Sequence, residues 1–149
     1  MQALCEACGA PISDERTCQD DFYQMLYWEH EFPALGVVHH LMVISYHLQH
    51  PHLYSPQGLN GIQQQLKQFI ETDITPEQMR QGMRQAVDSG KRDYAITARP
   101  GSYGQYDHPM PWTLHACDVV AGGAENYIQN THAWAQSIYS VLKQTGELT

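Results

Sequence analysis

Long apolar runs are missing from this chain. The longest, Leu41 to Ile44, has four residues, far short of the ~18 that cross a bilayer, so no membrane partner is expected. The N-terminal stretch MQALCEACG has neither a basic flank nor an apolar segment. No signal peptide is read there, and a cytoplasmic location is expected. Basic residues are scarce, eight against sixteen acidic ones, and the formal net charge is −8. Nucleic-acid binders draw most of their affinity from a basic stripe that neutralises phosphate, so no nucleic-acid partner is expected. No Walker loop, G-x-G-x-x-G or H-E-x-x-H occurs. A G-x-S-x-G nucleophile elbow is absent too.

What remains is a globular composition, 149 residues with 42% hydrophobic content. A chain of that length buries roughly 70% of its unfolded surface as one domain. Residues 1–149 are therefore read as a single helical domain, with a Cys-rich segment at 1–18 packed on it. Helices are predicted at about 19–31, 36–50, 56–71, 76–88 and 118–144. Asp20 and Asp21 suit the first turn of the first helix, and Pro33 ends it. Leu41, Met42, Val43, Ile44 and Leu48 cover most of the second, which reads as central and buried. A buried strand is the rival reading for VVHHLMVISY, but the length before Pro51 favours helix. Ser55-Pro56 and Thr75-Pro76, with Gln78 three residues after Thr75, are helix-start signals. Val120, Tyr127, Trp134, Ile138 and Leu142 keep helical period in the last helix, and the Gly122-Gly123 pair marks a possible kink. The segment 91–117 holds three Pro, two Gly and three Tyr and reads as a long loop, with a short strand conceivable at 94–97. Trp112, Tyr103 and Tyr106 are expected to dock it over a cleft beside His39 and His40. The fold class is all-α: an antiparallel bundle of about five helices with an N-terminal metal knuckle and one long loop.

Three of the four cysteines, Cys5, Cys8 and Cys18, fall in the first 18 residues. Cys5-x-x-Cys8-Gly9 has the shape of a zinc knuckle: two thiolates two residues apart can grip one tetrahedral ion, and the glycine eases the turn. Without a secretion signal, clustered cysteines point to metal rather than disulfides. Free thiols in a surface loop are the bland alternative. Nine histidines are many for this length, and His39, His40, His47 and His50 fall within twelve residues. At about 100° per residue all four share one side of the second helix. His39 and His50 lie ~16 Å apart along its axis and cannot share one ion. For His39 and His40 the better reading is a core histidine bonded to a backbone carbonyl. His115-x-Cys117-Asp118 is a weak metal-like trio. Glu29, Glu31, Asp118 and Glu125 are possible acid–base groups, though helix faces present such residues routinely.

The pattern Cys5-x-x-Cys8-Gly9-Ala10, then Cys18 opening a helix, then VHHLMVISYHLQHP from Val38 to Pro51, then Ser55-Pro56-Gln57, resembles the domain of unknown function 5946. The resemblance places Cys5, Cys8, Cys18, His39, Tyr46, Gln49, His50, Pro51, Ser55, Pro56 and Gln57 on the family motif. His47 is outside it. About the first 60 residues carry the likeness, with a looser one in the last helix. It implies a zinc site and no particular activity.

The fourth ligand is expected to be His50, on geometry. Cys18 opens one helix and His50 closes the next. Both are about 14 residues, ~21 Å at ~1.5 Å per residue. Folded back antiparallel, they bring His50 beside Cys18 and leave His39 at the far end, with His47 the understudy. The leading reading is a small zinc-binding helical protein with a structural Cys3His site, which binds a protein or small-molecule ligand. A metal-dependent enzyme with a second site, built from His39 or His47 with His115 and a Glu29 or Glu125 base, is one alternative. A redox switch on Cys5, Cys8 and Cys18 is another.

Overall fold

A computed structural model describes residues 3–13, 15–72, 74–75, 77–78, 81 and 98–149. Thr17 opens helix α1 (Cys18–Glu31) with a capping box, its hydroxyl accepting from the Asp20 N–H while the Asp20 carboxylate accepts from its own. Asp20 and Asp21 both lie in its first turn as expected, and Asp21 is also buried and ion-paired to the Arg16 guanidinium at 2.5 Å. After Pro33 the chain makes a 3₁₀ turn (Pro33–Val38), and α2 runs His39–Gln49. The predicted second helix therefore begins three residues later than expected, because Pro33 and Gly36 hold its lead-in in the tighter turn. No strand forms there.

Helix α3 (Pro56–Glu71) starts as predicted, with the Ser55 hydroxyl accepting from the Gly58 N–H at 2.9 Å. Thr75 and Gln78 also exchange their two capping bonds, at 2.9 and 3.1 Å. The body of the helix predicted at 76–88 and the short strand at 94–97 lie outside the described residues. The single long helix expected at 118–144 is two helices, α4 (Ala116–Ala121) and α5 (Tyr127–Gln144). Gly123 separates them at φ +82°, a left-handed conformation that only glycine adopts cheaply.

The described part is mostly helical, with five α-helices packed together and a small two-stranded hairpin at the N-terminus. Helix α2 is central: it packs on α5 and α3, while α1 packs on α4. Met25, Leu41, Leu48, Leu66, Trp134 and Ile138 are wholly buried between them, each worth roughly 1.5–3 kcal/mol relative to exposure. Among the described residues, no helix is long and apolar enough to cross a membrane.

The long loop does fold back. Its Ala98 and Gly104 N–H groups bond to Leu53 and Tyr54 carbonyls at 3.2 and 2.8 Å. The Tyr106 hydroxyl donates to the Leu48 carbonyl, and Trp112 is buried. Tyr103 is not: it stays half-exposed. The described part of the loop, from Ala98 on, docks at the other end of α2 from that expected. It covers the His50–Leu53 turn rather than the His39/His40 side, because the carbonyls freed where α2 ends at Pro51 offer acceptors that a helix interior does not.

Candidate metal centre

The hairpin pairs β1 (Ala3–Leu4) with β2 (Pro11–Ile12) and carries Cys5 and Cys8 in its turn. The turn closes with Cys5 N–H on the Ala10 carbonyl and Gly9 N–H on the Cys5 carbonyl, both at 2.8 Å. Gly9 takes φ +78°, so the glycine after the second cysteine has the conformational job its position suggests. The hairpin lies against the end of the helical hairpin where α1 begins and α2 ends. Cys5, Cys8, Cys18 and His50 come together there, their ligand atoms all within 4.8 Å of one another.

Two edges of this group are short contacts, Cys8 Sγ to Cys18 Sγ at 3.6 Å and Cys5 Sγ to His50 Nε2 at 3.7 Å. Metal–sulfur bonds of about 2.3 Å and metal–nitrogen bonds of about 2.0 Å at tetrahedral angles require sulfur–sulfur edges near 3.8 Å and sulfur–nitrogen edges near 3.6 Å. The spacing of the protein atoms fits such an ion. So does the state of the imidazole. His50 Nδ1 lies 2.7 Å from the Tyr46 carbonyl. A carbonyl only accepts, so Nδ1 carries the hydrogen and the Nε2 lone pair is left facing the sulfurs. The Tyr46 ring stacks on His50 with centroids 4.2 Å apart and holds it in place.

The electrostatics match a cation-binding group. The Cys18 thiol donates to Cys8 and holds the Cys8 thiol well below its ordinary range, against the upward push of burial. The same bond, then burial, pushes Cys18 up. The two buried sulfurs thus share one proton where a metal would replace it. Burial, and then the charge of the three cysteines, pushes the Tyr46 hydroxyl up.

A family model, described as a family of unknown function, matches residues 3–143. The chain belongs to DUF5946. No curated protein matches it significantly, and no solved structure does.

In this DUF5946 chain the other sequence candidates lie outside the group. The His47 ring stacks on Tyr54 at 4.6 Å and donates Nδ1–H to the Val43 carbonyl at 2.9 Å. Burial, with nearby His50 adding, lowers its pKa to about 4, so it stays neutral. His47 and His50 are thus both bonded to backbone carbonyls, whereas His39, expected to be so, is not. His39 Nδ1 lies 2.5 Å from the Glu29 carboxylate, and His40 Nε2 lies 2.7 Å from the Gln65 amide oxygen. His39 and His40 sit at the start of α2, where Glu29 in the last turns of α1 and Gln65 in the body of α3 are within reach. Glu31 and Glu125 are exposed, and His132 packs on Phe69. Cys117 is half-buried and outside the group; burial first, then acidic neighbours, raise its thiol.

His115 has a role that the sequence reading missed. Its Nε2 donates to the Cys8 carbonyl at 2.9 Å, 107 residues away, so it clamps the knuckle backbone. Its own N–H is held by Asp118 at 2.8 Å. Next to it the Leu114 carbonyl accepts from Gln49 at 2.7 Å, and Gln49 in turn accepts from Trp134 at 3.2 Å. The metal-like trio is therefore a brace for the knuckle. Groups that hold a ligand's backbone or ring commonly set 10–100-fold of metal affinity, so His115→Phe is expected to weaken binding by roughly that factor. Competition against a chelating dye measures it; unchanged affinity would remove His115 from the site.

Proposed function

We propose that this DUF5946 protein is a zinc protein whose Cys5, Cys8, Cys18 and His50 hold one ion in a closed, structural site. The observation that carries this reading is the pair of tetrahedral edges, 3.6 and 3.7 Å, with the His50 Nε2 lone pair aimed inward. Three thiolates and one imidazole are a donor set suited to zinc and leave no open coordination position. The ion would fasten three elements at once: the β1–β2 turn, the start of α1 and the end of α2. Thiolate ligands need a reducing compartment, which favours the cytoplasm. The protein's work is then binding rather than metal catalysis. A cleft of about 410 Å³ between Pro51, His52 and the Tyr103–Met110 stretch of the loop is a fitting place for a small-molecule or peptide ligand.

A catalytic second metal has less behind it. His39 and His115 lie at opposite ends of α2, and His39 is engaged by Glu29. Among the described residues, the Cys3His group is the one cluster of such side chains that could hold a metal ion. Metal content of the purified protein tests the reading. One zinc per chain is expected, lost to a strong chelator together with thermal stability. No zinc, or two ions per chain, would overturn it.

A further inference from the structure

The four residues of the metal group are not equally hidden. Cys8, Cys18 and His50 are each at most 6% exposed, whereas Cys5 is only partly buried. An open cleft of about 620 Å³ reaches the group: Cys5, Cys18 and His50 line it beside Leu4, Glu6, Ile12, Thr17 and His52, and Cys5 is the more exposed of its two sulfurs. No lysine or arginine among the described residues lines that cleft.

We propose that Cys5 is a reactive centre, a metal-held thiolate that is modified by small, neutral carbon electrophiles entering this cleft. The proposal rests on the zinc reading above. Three thiolates and a neutral imidazole around a dication leave one net negative charge, and that charge keeps the exposed sulfur electron-rich. In the reaction a Cys5 lone pair forms a carbon–sulfur bond. The bond from that carbon to its leaving group breaks, and the leaving group departs with the electron pair. The thiolate becomes a neutral thioether, and no oxidant or reductant is consumed. Access decides which sulfur reacts, because the electrophilic carbon must meet the sulfur in line with its leaving group. Charge decides which electrophile reacts. The negative centre, the Glu6 carboxylate beside it and the lack of a lysine or arginine among the described wall residues disfavour anionic reagents and admit neutral ones.

The test uses the intact zinc-loaded protein, its zinc content measured first. It is treated with substoichiometric iodoacetamide or, in parallel, iodoacetate. Fragment-ion sequencing then assigns the label to each cysteine, with Cys117 read separately on its own peptide. Cys5 is expected to be alkylated well before Cys8 and Cys18, because buried thiolates are shielded from the reagent. Its preference for iodoacetamide over iodoacetate should exceed that of a free cysteine tripeptide several-fold. Alkylation of Cys8 or Cys18 as fast as Cys5, or a reagent preference equal to the tripeptide's, would overturn the proposal. A preparation that contains no zinc at the outset would overturn the metal reading, and this inference with it.

Discussion

His50→Ala is expected to abolish stoichiometric zinc binding and to lower the melting temperature in the same step. In a structural site the binding energy is folding energy, since the unfolded chain has no preformed cage. An ion present at a thousand times its dissociation constant stabilises the fold by about 4 kcal/mol. For a chain of 149 residues that corresponds to a fall of roughly 10 °C or more when the site is lost. The substitution also removes the Nδ1–H bond to Tyr46 and the ring stack, so calorimetry with and without chelator is needed to separate the two contributions. The wild type should lose its stability on chelation, and the variant should already have lost it. His39→Ala should leave the zinc in place. If zinc survives loss of His50 but not loss of His47, His115 or Cys117, the fourth ligand has been misassigned.

The second large effect lies at the opposite end of the α1–α2 hairpin. Glu29→Ala should destabilise the fold by about 3 kcal/mol, from the loss of a charge-assisted hydrogen bond and the stranding of a buried donor. The Glu29 carboxylate accepts from the wholly buried Tyr127 hydroxyl on one oxygen and faces His39 Nδ1 at 2.5 Å on the other. It ties α1, α2 and α5 together. Burial, and then this bond, pushes the Tyr127 hydroxyl up, so it stays a donor. Chemical denaturation measures the loss. In a Tyr127→Phe background the same substitution should cost much less, because no donor is then stranded. Zinc stoichiometry should not change, as Glu29 lies about 16 Å along α1 from Cys18 at ~1.5 Å per residue. Additive losses in the double variant would show that the two groups do not act as a pair.

The two ends of this hairpin differ in how far the sequence announced them. At the Cys5–His50 end, Cys5 and Cys8 are neighbours in a turn that Gly9 permits, and the Pro33–Val38 turn with α2 carries the chain back along α1 to bring His50 to Cys18. At the other end, His39 stood out as a motif residue and as a candidate second-metal ligand, but not as the partner in an ion pair. Its partner Glu29 looked like any helix-surface carboxylate. The helix starts were legible at Ser55 and Thr75, where side chain and backbone are three residues apart. The break at Gly123 was visible as a glycine pair, though not as the end of a helix.

Local order was therefore in the sequence itself: the caps, the knuckle turn, the helical periods and the all-α class. These features come from contacts within about four residues, where chain geometry leaves few choices. Tertiary structure alone decided the rest. It put the His115 imidazole on the Cys8 carbonyl across 107 residues, and the Tyr127 hydroxyl on Glu29 across 98. It also sent the loop to the His50 end of α2. Such pairings depend on how helices cross and which carbonyls their ends leave open, and no short-range pattern encodes either.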